Sequence, residues 1–443
     1  MNVVDKLKTK KFAVAFIILI AVSLIIATVI PQKSSMSGAE LFRLRVNYPG
    51  FSSFIASTGL DHIYTAWWFL GIIFLFSLNI VLNLSERIKI ALKQFRDEGL
   101  PVPEKIEMLS LHHVFSLPGK LNENTKRDLR DIVSGAGYRV KAYPEGIFAS
   151  KGKFGYWGIT AFHGSILIIL TGVLVSSLSI FRGNFEISEG QLFSGKKEEF
   201  IGRVYGIIKL EPEFDFSLLL RKYNVEYWDK GYTKLYRSTI DVVENGKTLF
   251  SKDVEMNEPL RYKGYSFYQS KYHGYSAALA MRDRETGYEM KGYVNFPYQE
   301  HYSGIITQDF KVPQTQYRGQ LRFDAAYPDI IVMKILENNT LVWEGILPKE
   351  RAVDLGKIQL VFHGMVKWTG LFVSRDRGVP IVYGGFVLLI LSVFGIVFVV
   401  PKTFSVFYDE KRLLVGAKAL RDKEIFKEEF ESIAGKIERI LNE

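Results

Sequence analysis

The sequence predicts a mixed membrane protein: four transmembrane α-helices, a large extracytoplasmic β-rich domain of sandwich type and a small cytoplasmic α/β element. Four segments are long and apolar enough to cross about 30 Å of hydrocarbon, which takes about 20 residues. Hydrophobic residues make up 48% of the 443 residues, too many for most soluble proteins and too few for a chain that lies mainly in lipid. Basic residues cluster beside the apolar segments, and this fits a chain with several spans.

The first span (12–30) ends at Pro31-Gln32. We interpret it as an uncleaved anchor, because its apolar core is long for a signal peptide and no A-x-A cleavage site follows. The three other predicted spans are 64–84, 157–181 and 379–400. Proline follows the last of them at once, so its end is well marked.

Lysine and arginine set the orientation of these spans. Basic clusters precede the first span, follow the second, precede the third and follow the fourth. They all fall on one side of the membrane if both termini are cytoplasmic. The connecting segments are then a cytoplasmic N-terminus (1–11), a short outer loop (31–63), a cytoplasmic α/β element (85–154), an extracytoplasmic domain (182–378) and a cytoplasmic amphipathic helical tail (403–443).

The predicted outer domain is rich in aromatic and β-branched residues, in short runs separated by turn residues. This pattern favours strands and an antiparallel fold such as a β-sandwich. Asn245-Gly246 suits the type I′ turn of a two-residue hairpin. The many tyrosines could form a binding face, but filling strand faces and cross-strand pairs explains them more simply.

The predicted inner element begins with a helix that ends near Gly135 or Gly137, and the strands RVKAYPE and GIFASK follow it. In the tail, apolar residues recur at a spacing that gives one stripe on a helix. The stripe could lie on the membrane, dock onto a partner or pack against the inner element. Its members are Leu420, Ile425, Phe426, Phe430, Ile433, Ile437 and Leu441.

The composition excludes several kinds of chemistry. There are no cysteines, which excludes thiolate catalysis, disulfides and Cys-ligated metal sites. No P-loop, G-x-G-x-x-G, H-E-x-x-H or G-x-S-x-G motif occurs, so no conventional enzyme signature is present. The net charge of +10 is expected at the cytoplasmic ends of the spans and does not require nucleic acid.

One ionisable side chain, His163, lies inside the third predicted span. Its two nitrogens are costly to bury in lipid unless they are bonded, so it faces the interior of the bundle. It could bond to a neighbouring helix, belong to a proton path, or ligate a metal or haem. The small residues Gly164, Ser165 and Gly172 allow close approach of another helix or of a flat ring. His163 lies about 9 Å from the predicted inner end of its span at about 1.5 Å per residue.

The other histidines are weaker candidates. His62 is expected at the outer mouth of the second span, where an interfacial role is the simpler interpretation. It could supply a second haem ligand only after a large displacement, and otherwise that ligand must come from another chain. The remaining five lack metal-ligand spacing: His112, His113, His273, His301 and His363.

Five stretches of the sequence resemble the ResB (CcsB) family of system II cytochrome c biogenesis proteins, over nearly the whole length. His62 lies in the stretch GLDHIYTAWWFL and His163 in the stretch ASKGKFGYWGITAFHGSILIILTGVLV. Asn257, Phe267 and Gln269 lie in the stretch VEMNEPLRYKGYSFYQSKY. In the stretch GLFVSRDRGVPIVYGG, Arg377 stands where the family usually has proline. The stretches are TVIPQ, GLDHIYTAWWFL, ASKGKFGYWGITAFHGSILIILTGVLV, VEMNEPLRYKGYSFYQSKY and GLFVSRDRGVPIVYGG.

The resemblance implies a non-catalytic or accessory subunit of a holocytochrome c synthase in a bacterial inner membrane. With a ResC- or CcsA-type membrane partner, it would bring haem b across the bilayer for attachment to apocytochrome c. His163 would be an axial ligand of the haem iron, and the partner would supply the second ligand. Thioredoxin-like and CcdA-type proteins are further implied partners. The alternative is a membrane-anchored scaffold whose outer domain binds an extracytoplasmic protein and which carries no haem.

Overall fold

The computed structural model describes residues 6–33, 38–229, 233–297, 304–312, 315–324, 326–327, 329–356 and 358–442. His301 lies outside these residues. The chain forms two compact units. We call Met1–Val175 together with Gly378–Glu443 the helical unit, and Ser176–Arg377 the β unit.

Among the described residues, four helices are long and apolar enough to cross a membrane. They are Lys10–Val29 (α1), Trp67–Arg96 (α4), Lys153–Ser179 (α7 with the turn before it) and Val379–Phe398 (α8). Two further helices and a 3₁₀ turn (Leu60–Thr65) fill most of 31–63, which was predicted only as a short loop. The helices are α1 (Lys10–Val29), α2 (Gly38–Asn47), α3 (Pro49–Thr58), α4 (Trp67–Arg96), α5 (Pro103–Glu107), α6 (Glu123–Gly135), α7 (Gly158–Ser179), α8 (Val379–Phe398) and α9 (Lys423–Asn442).

Helix α4 continues well past the predicted end of the second span at residue 84. The residues that follow, SERIKIALKQFR, contain no glycine or proline and include several strong helix formers. The helix ends at Arg96, three residues before Gly99. A polar helical extension therefore joins the second span to the elements that follow it.

Helices α7 and α8 approach closely through glycine. A Cβ at Gly385 would lie 2.6 Å from Cγ1 of Ile169 and 3.2 Å from the carbonyl oxygen of Ser165. A Cβ at Gly172 would lie 2.7 Å from Cγ2 of Val382. Small residues at such contacts let helices associate by backbone packing where no hydrophobic driving force exists.

A five-stranded antiparallel sheet lies in the helical unit, in the order β1-β20-β19-β3-β2. The tail was predicted to be helical throughout 403–443, and this is wrong for its first part, which forms two strands. The Val- and Phe-rich segment FSVFY and the segment RLLVGA favour strands, and they pair with β3 and β1. The strands are β1 (Leu111–Ser116), β2 (Arg139–Tyr143), β3 (Gly146–Lys151), β19 (Lys402–Tyr408) and β20 (Arg412–Ala419).

Only α9 of the tail is helical, and its apolar stripe packs on this sheet. Phe426, Phe430, Ile433 and Ile437 are buried in one core with residues of α6 and the sheet strands. Of the positions open from the sequence, packing against the α/β element is therefore the one observed. Helix α6 and strands β2 and β3 also occur where the sequence predicted them.

The described part of the β unit forms three antiparallel sheets. The largest runs β10-β11-β18-β4-β6, with β12 beside β11 and β17 beside β18, and the others run β13-β14-β15-β16 and β5-β7-β8-β9. The strands are β4 (Phe181–Ser188), β5 (Leu192–Phe193), β6 (Phe200–Tyr205), β7 (Ser217–Tyr227), β8 (Thr233–Glu244), β9 (Lys247–Val254), β10 (Leu260–Tyr262), β11 (Tyr265–Asp283), β12 (Glu289–Asn295), β13 (Ile305–Lys311), β14 (Tyr317–Asp324), β15 (Ile330–Glu337), β16 (Thr340–Pro348), β17 (Ala352–Asp354) and β18 (Ile358–Arg375).

Two apolar cores hold the three sheets together, and β11 and β18 contribute to both. Phe267 and Leu371 pack with the sheet that contains β7 and β8, while Leu279 and Leu360 pack with the sheet that contains β14 and β15. The predicted β-rich architecture with antiparallel sheets is therefore confirmed. The predicted hairpin is also present: Glu244 pairs with Lys247, and Asn245 and Gly246 between them have φ of 49° and 75°.

Candidate functional site: a histidine in a membrane-length helix

His163 lies five residues after the start of α7 and is half-buried. Its Nδ1 is 2.8 Å from the carbonyl oxygen of Ile159, one turn earlier in the same helix. A carbonyl oxygen only accepts hydrogen bonds, so Nδ1 carries the proton and donates it. In the neutral ring, Nε2 then holds the lone pair. Among the described residues, no hydrogen-bond partner occupies Nε2.

The neighbours of His163 leave space on one side. A Cβ added to Gly164 would have no atom within 4 Å. The ring of Phe162 lies edge-on at 5.7 Å between centroids. Ser165 and Gly172, which the sequence also suggested for close approach, are used instead in the contact between α7 and α8. Open space therefore adjoins α7 at Gly164, the residue after His163.

His163 shares one stripe of α7 with Leu170 and Leu174, because seven and eleven residues are close to two and three full turns. These two leucines pack on a core formed by Ala27 of α1, by Phe69 and Ile73 of α4 and by residues of the turn before α4. The imidazole is therefore on the face of α7 directed toward α1 and α4, and the glycine contact with α8 lies on the opposite face.

His62 lies in the turn before α4, in a non-helical conformation (φ −147°, ψ 47°) that interrupts the 3₁₀ turn. Its Nδ1 is hydrogen-bonded to the carboxylate of Asp61, which is largely buried. Gln32 fixes this turn: its amide nitrogen donates to the carbonyl oxygens of Ile30 (2.9 Å) and Leu60 (3.0 Å), and its oxygen accepts from the Ile63 N–H (3.1 Å).

The structure does not bring the two histidines together. The turn that carries His62 packs near Leu174, at the end of α7 away from His163. Eleven residues of α7 separate Leu174 from His163, about 16 Å at about 1.5 Å per residue. In this arrangement the two imidazoles cannot ligate one iron ion.

The remaining described histidines form no metal site. His112 bonds to the Leu109 carbonyl, His113 to Glu431 and His363 to Glu350. Burial lowers the pKa of His273. No group of three or more histidine, aspartate or glutamate residues that could hold a metal ion occurs among the residues that the structure describes.

Two residues that position His62, Gln32 and Asp61, were not identified as functional from the sequence. Gln32 was noted only as the end of the first span. Its role depends on contacts with residues about 30 positions later, which local patterns do not reveal. The Asp61-His62 dipeptide was a usable signal, because a carboxylate next to an imidazole often orients it.

Comparison with known proteins assigns the chain to a family. The sequence model of the ResB-like family matches residues 10–431, which include all four membrane-length helices, His62 and His163. The cytochrome c biogenesis protein CcsB of Microcystis aeruginosa is 24% identical, over 97% of this chain and 93% of the relative.

Two further relatives are similar over comparable lengths. The cytochrome c biogenesis protein Ccs1 of Porphyra purpurea is 24% identical, over 97% of this chain and 95% of the relative. The protein CcsB of Trichormus variabilis is 26% identical, over 95% and 89%. Since the family match covers nearly the whole sequence, this chain belongs to the ResB-like family.

Proposed function

We propose that this chain acts in cytochrome c maturation as the ResB-type subunit of a system II cytochrome c synthase. It handles haem b across the membrane and presents it, together with a ResC- or CcsA-type membrane protein, for covalent attachment to apocytochrome c. The names of the relatives and the family match support the role in maturation. The geometry of His163 supports the handling of haem.

The observation that carries the proposal is the hydrogen bond of His163 to its own helix. Ligating histidines usually donate one ring N–H to a carbonyl or carboxylate, which fixes the tautomer and aims the other nitrogen at the metal. Here Nδ1 is engaged by the Ile159 carbonyl at 2.8 Å, which leaves Nε2 for iron. A Cβ at Gly164, the next residue, would meet nothing within 4 Å, so the helix surface there is open to a ligand.

In this role the chain binds and orients its cargo and protects it from oxidation by axial ligation. No side chain of this protein has to act as acid, base or nucleophile, and we therefore assign it an accessory part in the synthase. The second axial ligand comes from the membrane partner, since His62 lies at the other end of α7.

The proposed setting is a bacterial inner membrane, with both termini in the cytoplasm and the β unit outside. His163 then lies toward the side on which haem is made, and the β unit lies on the side on which apocytochrome arrives. Thioredoxin-like and CcdA-type proteins would keep the substrate thiols reduced, which fits a chain with no cysteine.

The test is the absorption spectrum of the purified complex of this chain with its partner. We expect b-type haem in the native complex and its loss in His163→Ala, while His112→Ala, a change at an exposed histidine of the small sheet, keeps it. Unchanged haem in His163→Ala would contradict the proposal. That result would favour the scaffold alternative, which also requires a polar partner for His163 on a neighbouring span.

A further inference from the structure

A cavity of about 380 Å³ lies in the helical unit, between the end of α4, the turn before α7, the end of α8 and the small sheet. Ligand pockets usually measure about 300–1,000 Å³. Apolar and aromatic walls are provided by Phe148, Tyr156, Pro401 and Leu420. The other half of the lining is polar or charged, so the cavity suits an organic molecule that has polar groups beside an apolar body.

The floor of the cavity is one face of the small sheet. Phe148 of β3 pairs with Ser405 of β19, and Thr403 pairs with Lys418 of β20. Residues two apart on a strand point to the same side, so Lys418 and Gly416 share a face. Helix α5 covers that face at Gly416, where an added Cβ would lie 2.6 Å from Cγ2 of Ile106. Lys105, the neighbour of Ile106, therefore lines the cavity from the side on which Lys418 lies.

Four charged residues line the cavity: Asp97, Lys105, Lys153 and Lys418. Lys153 is already engaged, at 2.9 Å from Glu98 and 3.0 Å from the carbonyl oxygen of Phe95. Lys105 and Lys418 are exposed, and neither has a carboxylate within ion-pair distance among the described residues. Two cations are thus available to an anionic ligand.

The cavity lies at the end of α7 that carries His163. Tyr156, in its wall, precedes His163 by seven residues, about 10 Å at about 1.5 Å per helical residue. The wall of the cavity therefore lies about two helical turns from His163 along the chain.

We propose that this cavity is the receiving site for haem before it reaches His163. The ligand it suits is an apolar disc with two carboxylates on one edge, such as a porphyrin with two propionates. The ring packs on Phe148, Tyr156 and Pro401, and the propionates pair with Lys105 and Lys418. Carboxylates buried beside apolar groups need such cations, because an unpaired charge is costly there. This inference rests on the proposed function, since it names the site at which the same cargo is first bound.

The test uses protoporphyrin IX without iron, which His163 cannot ligate. Its binding to the complex of the full chain and its partner in nanodiscs is measured by porphyrin fluorescence, with empty nanodiscs subtracted. In Lys105→Glu/Lys418→Glu we expect about tenfold weaker binding, from two lost charge-assisted contacts and the added repulsion. Lys436→Glu on α9 also reverses an exposed cation of the helical unit but lies outside the cavity lining, and we expect no change.

Two further measurements make the result specific. Lys105→Gln/Lys418→Gln, a milder change at the same exposed positions, should give an intermediate affinity at an unaltered melting temperature. Protoporphyrin IX dimethyl ester has no carboxylates and should bind equally to the native chain and to the charge variants. Equal binding of acid and ester to the native chain, or equal affinity of all variants for the acid, would overturn the proposal. Displacement of the porphyrin by anionic phospholipid alone would overturn it too, and would identify a lipid site.

Failure of this inference can be told apart from failure of the proposed function. If the cavity variants bind protoporphyrin normally and His163→Ala still loses haem, the function stands and the receiving site is wrong. If His163→Ala keeps its haem, the proposed function is wrong whatever the porphyrin binding shows.

Discussion

The two ends of α7 hold their histidines in opposite ways. His62, beside one end, is fixed by Asp61 in a turn in which Gln32 bonds to the Leu60 carbonyl and the Ile63 N–H. At the other end, Nδ1 of His163 bonds to its own helix, and no partner occupies Nε2 among the residues that the structure describes. The first arrangement closes a turn between two spans, and the second leaves a ring nitrogen available. The difference teaches that a histidine in or beside a span is characterised less by its burial than by the partner of each ring nitrogen.

The largest expected effect comes from exchanging the two imidazoles for glycine. We expect His163→Gly to lose nearly all haem and to regain it when imidazole is added, because only the ligand is missing. His62→Gly should keep its haem. The pyridine haemochrome assay of the purified complexes measures both. Equal haem loss in the two variants would remove the distinction between the two ends.

The contact between α7 and α8 sharpens the comparison, because it holds the helix of His163 in place. Gly385→Leu inserts a side chain where Ile169 and Ser165 already lie within 3.2 Å, and we expect a loss of about 1–3 kcal/mol. Gly384→Leu, where an added Cβ meets nothing within 4 Å, is the matched control. Thermal unfolding in detergent gives the difference. Equal melting temperatures would show that the close approach contributes nothing.

At the His62 end, Gln32→Leu removes three hydrogen bonds and leaves the Ile63 N–H and the Leu60 carbonyl without them. We expect a loss of about 1–2 kcal/mol, the usual cost of unsatisfied buried groups, with haem content unchanged. Gln32→Glu keeps the acceptor for Ile63 but sets a carboxylate against the Ile30 and Leu60 carbonyls, so it should lose at least as much. A drop in haem as large as in His163→Gly would mean that the two ends are coupled.

The smallest expected effect concerns α9, which covers the sheet at the His163 end. Burial acts to raise the pKa of Glu429, but its hydrogen bond and ion pair with Lys402 and the charge of Lys151 keep it below the usual value of 4.5. Since the pKa is lowered in the folded state, the ion pair stabilises this unit above pH 4.5. That stabilisation is lost as the pH falls through the lowered pKa.

Glu429→Gln should therefore be less stable than the native chain by about 0.5–1 kcal/mol at neutral pH. Near pH 3 the two should converge. Glu428→Gln, at an exposed position on the same helix, serves as the control. Melting temperatures measured between pH 7 and pH 3 decide the point, and a constant difference over that range would exclude the ion pair as its source.

Local patterns in the sequence predicted much of this fold. Apolar length identified the four membrane-length helices, Asn245-Gly246 identified the hairpin, and Gly135 and Gly137 marked the end of α6. The strands β19 and β20 were missed, although their valines and phenylalanines gave a signal. The spacing of the later residues of α9 was extended backward over them. Pairing with β3 depends on residues far away in the sequence, and periodicity carries no such information.

The candidate site was predictable in identity and not in geometry. A lone histidine in an apolar run indicated His163, and the resemblance to the family gave it a role. The bond to Ile159 depends on the side-chain conformation that His163 adopts within its own helix. The use of Ser165 and Gly172 in the contact with α8 and the bonds of Gln32 to Leu60 and Ile63 depend on tertiary contacts. Lys105 and Lys418 drew no attention for the same reason, since they come from segments more than 300 residues apart that meet only in the folded unit.

The strand order β1-β20-β19-β3-β2 constrains how the chain matures. Strand β19 is the central strand, yet it is synthesised about 250 residues after β3, or about 12–50 s later at about 5–20 residues per second. Until then β3 has an open edge, and the floor under the cavity is missing. The sheet is therefore complete only after the C-terminal segment has been translated, α8 has been inserted and β19 has paired with β3. A chain that ends before residue 402 lacks β19 and β20, and the face of the sheet that forms the floor of the cavity is then incomplete.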